Sequence, residues 1–338
     1  MPVSPSRRVL LPVTTTRWPE IRQEFLPFLL KMAPREGTGV STPEPFFPPT
    51  AEPVGIQNGG FMKRIGPRLR IIARTGIGVD RIDLDAATRH SILVVNTPDG
   101  PTESTAEHAI ALLLNLCKGV MTGDRILRAG QPFPALTNLT PGFEVYGAAL
   151  GLVGLGRIGK RVAAIAQVLG MKVMAFDPFI TLEQASILSV ELLPSLVELL
   201  SRAQIISLHC PSIPETYHII NAETLSQMPR GSYLINVARG ALIDEMALLD
   251  ALSSGHLAGA ALDVFDPEPP LTNHSLFTLP NTICTPRIGS YTRASVLRMQ
   301  VMACEQVASA LRGERPTNLV NPAVWGHLAD QNTTHKIF

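Results

Sequence analysis

The chain has 338 residues, 45% of them hydrophobic and 17% charged, with a formal net charge of +1. That length exceeds a single core and suits two domains, with apolar material for both. A near-neutral balance without basic stripe or acidic tail argues against bulk attraction to nucleic acid or anionic membrane, and the longest apolar runs, such as Ala109 to Leu114, are too short to span a bilayer.

In chain order, Arg7 to Val13 reads as a first buried strand. The acid-free N-terminal stretch, with Arg7, Arg8 and Arg17, faintly resembles a transit peptide, but a strand is the simpler reading. Pro34 to Gly60 is dense in Pro and Gly and shows the period of neither strand nor helix. It reads as an insertion, a diverged replacement for a β-α unit, or an error in the gene model. Arg70 to Ala73 is a strand ending in the glycine turn Thr75-Gly76-Ile77-Gly78-Val79-Asp80, and Ile92 to Val95 is another. Ser104 and Glu107 form a capping box ahead of a helix from Thr105 to Lys118, whose apolar side chains nearly encircle it.

A polar connection, Gly130 to Gly142, leads to a strand from Ala148 to Val153. Strands Lys172 to Phe176, Ile205 to Leu208, Tyr233 to Asn236 and Ala258 to Asp263 follow, with helices between them. The helix Asp244 to Ser253 is closed by Gly255. Such alternation specifies an α/β fold with a parallel, doubly wound sheet. An amphipathic helix, Ala294 to Leu311, precedes a Pro/Asn-containing tail. Four cysteines (Cys117, Cys210, Cys284, Cys304) lie far apart without zinc spacing. They read as reduced core thiols, so no metal site is expected and the cytoplasm is the expected compartment.

Gly151-Leu152-Val153-Gly154-Leu155-Gly156-Arg157-Ile158-Gly159 holds a G-x-G-x-x-G hexad between a strand and a helix. Gly154 permits the tight turn, Gly156 lets backbone approach a pyrophosphate, and Gly159 allows helix–strand packing. The pyrophosphate is expected on the N–H groups near Arg157 and Ile158, at the positive end of the helix dipole. The next strand ends at Phe176-Asp177-Pro178, where the fingerprint places an acid for the adenosine ribose. Asp177 repels a 2′-phosphate, which predicts NAD rather than NADP. Arg239, just past the strand Tyr233 to Asn236, lies at the carboxyl edge where open α/β sheets bind ligands. Its guanidinium can hold a carboxylate bidentately.

From about Gly66 to Pro322 the chain resembles the D-isomer-specific 2-hydroxyacid dehydrogenases, the group of D-3-phosphoglycerate dehydrogenase, glyoxylate/hydroxypyruvate reductases and C-terminal-binding corepressors. The resemblance rests on motifs in order: Thr75 to Asp80, Gly154 to Gly159, Leu208-His209-Cys210-Pro211, Asn236 to Gly240, Leu262-Asp263-Val264-Phe265 with Glu268-Pro269, and Thr285-Pro286 followed by Ile288-Gly289. It implies a Rossmann domain at residues 105–289 and a flavodoxin-like substrate domain built from both ends, 1–104 (atypical at 34–60) and 290–338. Arg239 is implied to bind a substrate carboxylate, with Gly78 and Val79 adding backbone N–H groups. Cys210, Ala238 and Asp263 are implied on the nicotinamide side, with Thr105 near the pyrophosphate. A homodimer acting on a small 2-oxo or 2-hydroxy acid is expected, with neither nucleic acid nor membrane as partner. No tail resembling a regulatory domain follows Pro322, so control by serine is not expected.

One position departs from the pattern. Similar proteins pair a glutamate with a histidine that protonates the alkoxide as hydride arrives; Glu268 matches the first, but Arg287 stands where the histidine belongs. Arginine does not give up its proton in proteins, so it cannot act as acid and base. It can polarise a carbonyl, or close on Glu268 as an ion pair. Of the other histidines, His274 is the least remote substitute. The expectation is therefore a reductase slowed at Arg287, with a catalytically silent NAD(H)-sensing protein as the alternative.

Overall fold

The computed structural model describes residues 8–10, 44–46, 69–130 and 141–330, which divide into two compact units, residues 1–101 with 293–338 and residues 102–292. The division falls after Pro101 and after Thr292, slightly outside the boundaries read from sequence. The reason is local. The helix expected from Thr105 begins at Thr102, so Ser104 lies inside its first turn rather than capping it, and Ser104 Oγ instead hydrogen-bonds Thr292 Oγ1 at 2.7 Å.

In the first unit, β1 (Arg8–Leu10), β2 (Glu44–Phe46), β3 (Leu69–Ala73) and β4 (Leu93–Val95) pair in parallel in the order β2-β1-β3-β4. This is the leading part of a flavodoxin-like order. β2 corrects the sequence reading of Pro34 to Gly60, which found no strand there; a three-residue strand is too short to leave a period-2 signature among prolines. The remainder of that segment, the flanks of β1 within Arg7 to Val13, and residues 131–140 of the polar connection lie outside the described residues.

Both chain ends share one core. Ala303, Val307 and Ala310 of the helix Arg293–Leu311 pack with Ile71, Ala73, Leu93 and Val95, joined by Val324 of the helix Ala323–Asp330. Their spacing lines one helix face. The tail is more structured than its prolines suggested: the buried Asn321 side chain accepts from Val94 N and donates to Ile92 O, both at 2.9 Å, satisfying the edge of β4.

The second unit carries seven parallel strands: β5 (Ala149–Val153), β6 (Lys172–Phe176), β7 (Glu191–Leu192), β8 (Ile205–Leu208), β9 (Ser232–Asn236), β10 (Leu257–Leu262) and β11 (Thr282–Cys284). Their order is β11-β10-β9-β8-β5-β6-β7. The order reverses between β5 and β8, the switch point at which doubly wound sheets open a crevice. Leu150 and Leu152 face one core, against the helices Thr102–Lys118 and Arg157–Val168; Val153 faces the other, with Leu199, Leu248 and Leu252. Burial on both faces explains why these strands read as continuous apolar runs rather than alternating ones. Fully buried side chains such as Leu150 and Leu152 each contribute roughly 1.5–3 kcal/mol.

Candidate active site

The turn after β5 is shaped by what its glycines permit. Gly154 has φ +97°, and a Cβ there would lie 2.8 Å from Cys210 N and 2.9 Å from His209 C, so only glycine lets the turns after β5 and β8 meet at the switch point. A Cβ on Gly159 would fall 2.3 Å from Gly154 O, which fixes glycine at the third position. Gly156 differs: it is exposed, caps the helix Arg157–Val168 in an extended conformation, and a Cβ there would meet nothing within 4 Å. That open cradle at a helix N-terminus, beside Arg157 and Ile158, fits a pyrophosphate.

Asp177 ends β6 and holds this turn directly. Its Oδ2 accepts from Leu155 N at 2.8 Å and its Oδ1 from Phe179 N at 2.9 Å. Each oxygen retains a lone pair for a ribose hydroxyl. Cys210 is half-buried, and burial pushes its thiol up to about 11, so it presents a neutral surface. Thr105 is buried in the first turns of the helix Thr102–Lys118.

At the end of β9, the fully buried Asn236 side chain organises the turn carrying Arg239. It accepts from Ala238 N at 3.0 Å and donates to Arg239 O at 2.7 Å. Arg239 Nη1 in turn donates to Ala238 O at 2.7 Å. A Cβ on Gly240 would lie 2.0 Å from Phe265 C and 2.2 Å from Phe265 O, so glycine brings the Arg239 turn against the Phe265-to-Glu268 segment.

Glu268 and Arg287 close on each other. Arg287 Nη1 donates to Glu268 Oε1 and Oε2, both at 2.8 Å, with the guanidinium about half-exposed and the carboxylate mostly covered. Arg287 occupies the left-handed region at φ +55°, which a side chain visits at a cost of roughly 1–2 kcal/mol. Its Nε and Nη2 make no hydrogen bond among the described residues.

His274, the least remote histidine in the sequence reading, is committed elsewhere. Nε2 lies 2.7 Å from Glu245 Oε2, Nδ1 accepts from Leu276 N at 3.4 Å, and the ring packs on Phe265 and Phe277. Both nitrogens are used, which removes it as a substitute acid. His209 is no substitute either: burial pushes it down to about 4, Nε2 shares a hydrogen bond with Ser207 Oγ at 2.9 Å, and Nδ1 is buried without a hydrogen-bond partner.

Gly78 and Val79 belong to the other unit. There Arg74 Nε donates to Gly78 O at 3.2 Å, Asn96 Nδ2 to Ile77 O at 2.8 Å, and Ile82 N to Val79 O at 2.8 Å. Among the described residues the Gly78 and Val79 amides donate to nothing.

Sequence reasoning placed Asn236 in a motif without giving it a role, and it missed Glu245 and His108 as organising residues. A signal existed for the first, because a buried asparagine at a strand end demands partners. Glu245 and His108 lie on helices, and only the fold brings them to these turns. Among the described residues no cluster of His, Cys, Asp or Glu could hold a metal, and no helix is long and apolar enough to cross a membrane.

A doubly wound sheet with a glycine cradle at its switch point and an aspartate ending the neighbouring strand defines a dinucleotide-binding class of protein. Residues 110–289, just over half the chain, match the family model described as D-isomer specific 2-hydroxyacid dehydrogenase, NAD binding domain. The D-3-phosphoglycerate dehydrogenase of Methanocaldococcus jannaschii is 41% identical over 254 residues, 75% of this chain and 48% of that protein. The TT0316 protein of Thermus thermophilus superposes with TM-score 0.75 at 37% identity, over 93% of this chain and 99% of that one. A glyoxylate reductase from Paecilomyes thermophila gives TM-score 0.77 at 26% identity, over 94% and 99%. The chain belongs to the D-isomer-specific 2-hydroxyacid dehydrogenase family, and NAD is its cofactor. It spans about half the length of the curated relatives it matches.

Proposed function

We propose that the chain interconverts a small 2-oxo acid and its D-2-hydroxy acid with NAD(H), at a rate held down by Arg287. The observation that carries the proposal is the closed Arg287–Glu268 pair on the same sheet edge as the dinucleotide cradle and Arg239. Arg239 is suited to clamp the substrate carboxylate and present carbon-2. Nicotinamide, when bound in its reduced form, supplies the hydride. Arg287 can direct Nε or Nη2 at the carbonyl oxygen and stabilise the charge that develops there. Glu268 holds that guanidinium in place. The proton must then come from water, and lack of a positioned acid costs about 10²–10⁴-fold.

The same closed pair favours a second reading. If the closed pair leaves no room for a carbonyl oxygen, the chain binds NAD(H) without turnover and acts as a sensor of the nucleotide. A fluorescence titration with NADH, followed by NADH oxidation with glyoxylate, hydroxypyruvate, pyruvate and larger branched or aromatic 2-oxo acids, separates the two. The proposal expects binding and slow oxidation with at least one acid. Binding with no oxidation across the panel supports the sensor and ends the enzyme proposal.

A further inference from the structure

Glu268 sits in a stretch poorly equipped to fasten itself. Pro267, Pro269 and Pro270 flank it, and none has an amide proton to donate. Its Oε1 accepts from Phe265 N at 3.4 Å, and both oxygens accept from Arg287. The turn that carries Arg287 closes on Asp263, whose Oδ1 accepts from Thr285 Oγ1 at 2.6 Å and Ile288 N at 2.8 Å, and whose Oδ2 accepts from Gly289 N at 2.8 Å. His108 Nε2 lies 3.3 Å from Asp263 Oδ1. The support for the Glu268 stretch comes from a different carboxylate.

That carboxylate is Glu245. Asp244 caps the helix Glu245–Ser253 by accepting from Met246 N at 3.1 Å and Ala247 N at 3.3 Å, so the cap does not need the neighbouring Glu245 side chain. Glu245 Oε1 instead accepts from Asp266 N at 3.2 Å, and Oε2 meets His274 Nε2 at 2.7 Å. One carboxylate thus bridges the two ends of the loop 266–274, with Glu268 between them. The ring sets the direction of the second bond: Nδ1 accepts from Leu276 N at 3.4 Å, which puts the proton on Nε2 and makes His274 the donor. Both side chains are mostly covered, at 14% and 20% exposure, so solvent screens this charge-assisted bond little. The His274 ring also packs on Phe265, whose amide meets Glu268. Gly240, between Arg239 and Glu245, is seated against the Phe265 and Asp266 backbone. The clasp therefore ties the segment that carries Arg239 to the segment that carries Glu268.

We infer that Glu245 and His274 are positioning residues: they clasp both ends of the loop 266–274 and so fix where Glu268 meets Arg287 relative to Arg239. This rests on the reading of Glu268 as the group that holds Arg287 toward the substrate carbonyl.

The test uses the full chain with Glu245→Ala, His274→Phe and His274→Gln. Phenylalanine preserves the ring packing and removes the donor, whereas glutamine keeps a donor toward Glu245. NADH affinity and binding of oxamate (a 2-oxo acid isostere) to the NADH complex are measured. For Glu245→Ala and His274→Phe we expect oxamate weakened roughly tenfold or more and NADH within a few-fold of native. His274→Gln should stay close to native on both. In a Glu268→Ala background, His274→Phe should no longer affect oxamate. Folded Glu245→Ala and His274→Phe proteins that bind oxamate as the native chain does would overturn the inference, and so would an oxamate loss that persists in full without the Glu268 carboxylate. If Glu245→Ala does not fold, His274→Phe decides alone. If the native NADH complex takes up no oxamate, the functional proposal fails separately, and the imidazole introduced by Arg287→His decides the positioning role. Glu268 beside it should hold its pKa up, and adding His274→Phe should lower the value read by NMR titration by about one unit. An unchanged value ends the inference.

Discussion

Two turns at the carboxyl edge of the seven-stranded sheet solve the same backbone problem in opposite ways. The turn after β5 needs positive φ and puts glycine there, leaving open space over Gly156. The turn after β11 also carries positive φ, but at Arg287, and the space is filled by a guanidinium folded onto Glu268. The first turn is built to admit a ligand by having nothing in it. The second spends conformational strain on keeping a side chain in place. Strain sustained this way at a ligand-facing edge marks function more readily than accident.

The comparison can be broken at its glycines first. Gly240→Ala should have the largest effect, because its Cβ meets the Phe265 carbonyl, which is backbone and cannot swing aside. We expect a loss on the order of 3 kcal/mol in urea unfolding, and a variant as stable as native would show that the two segments do not meet as described. Next, Asp177→Ala should weaken NADH roughly 10–100-fold by removing charge-assisted hydrogen bonds to the ribose. It should also shift the NADPH-to-NADH affinity ratio toward NADPH; an unchanged ratio would deny Asp177 its discriminating role.

Acid should weaken the fold through His209 first. His209 is neutral in the folded state and held at about 4, below its ordinary 6.5, so the unfolded chain binds the proton more readily. Stability from this group is intact above pH 6.5 and declines as pH falls from there to about 4. Asp263, held below its ordinary 3.8, adds a further loss as pH falls through its folded value. Unfolding free energies measured from pH 7 downward should decline in the first window, and the decline there should vanish in His209→Phe. The smallest effect belongs to Arg287→Asn. Asparagine tolerates the left-handed region, and a half-exposed ion pair contributes under about 1 kcal/mol, so stability should move by less than about 1 kcal/mol. A larger loss would make the ion pair a principal holder of this turn.

Much of this was legible in the chain. The strands β5, β6, β8, β9 and β10 announced themselves as apolar runs because both faces are buried, and the glycine hexad carried the dinucleotide reading with them. β2 and β7 were invisible, being too short to show a period. Arg287 was legible as a departure, and closure on Glu268 was among its stated outcomes. What no sequence spacing reveals is that Asp263 is surrounded by donors from His108, 155 positions earlier in the chain, and from the turn beyond β11. Such networks are made by topology, and the residues in them look ordinary until the sheet closes.

The most direct test of the account is the turnover of Arg287→His against the native chain, with NADH and whichever 2-oxo acid the native chain reduces fastest. Restoring a group that can give and take a proton beside Glu268 should raise kcat by about 10²–10⁴-fold with NADH affinity unchanged. A folded variant that binds NADH as tightly as native and turns over no faster would contradict it.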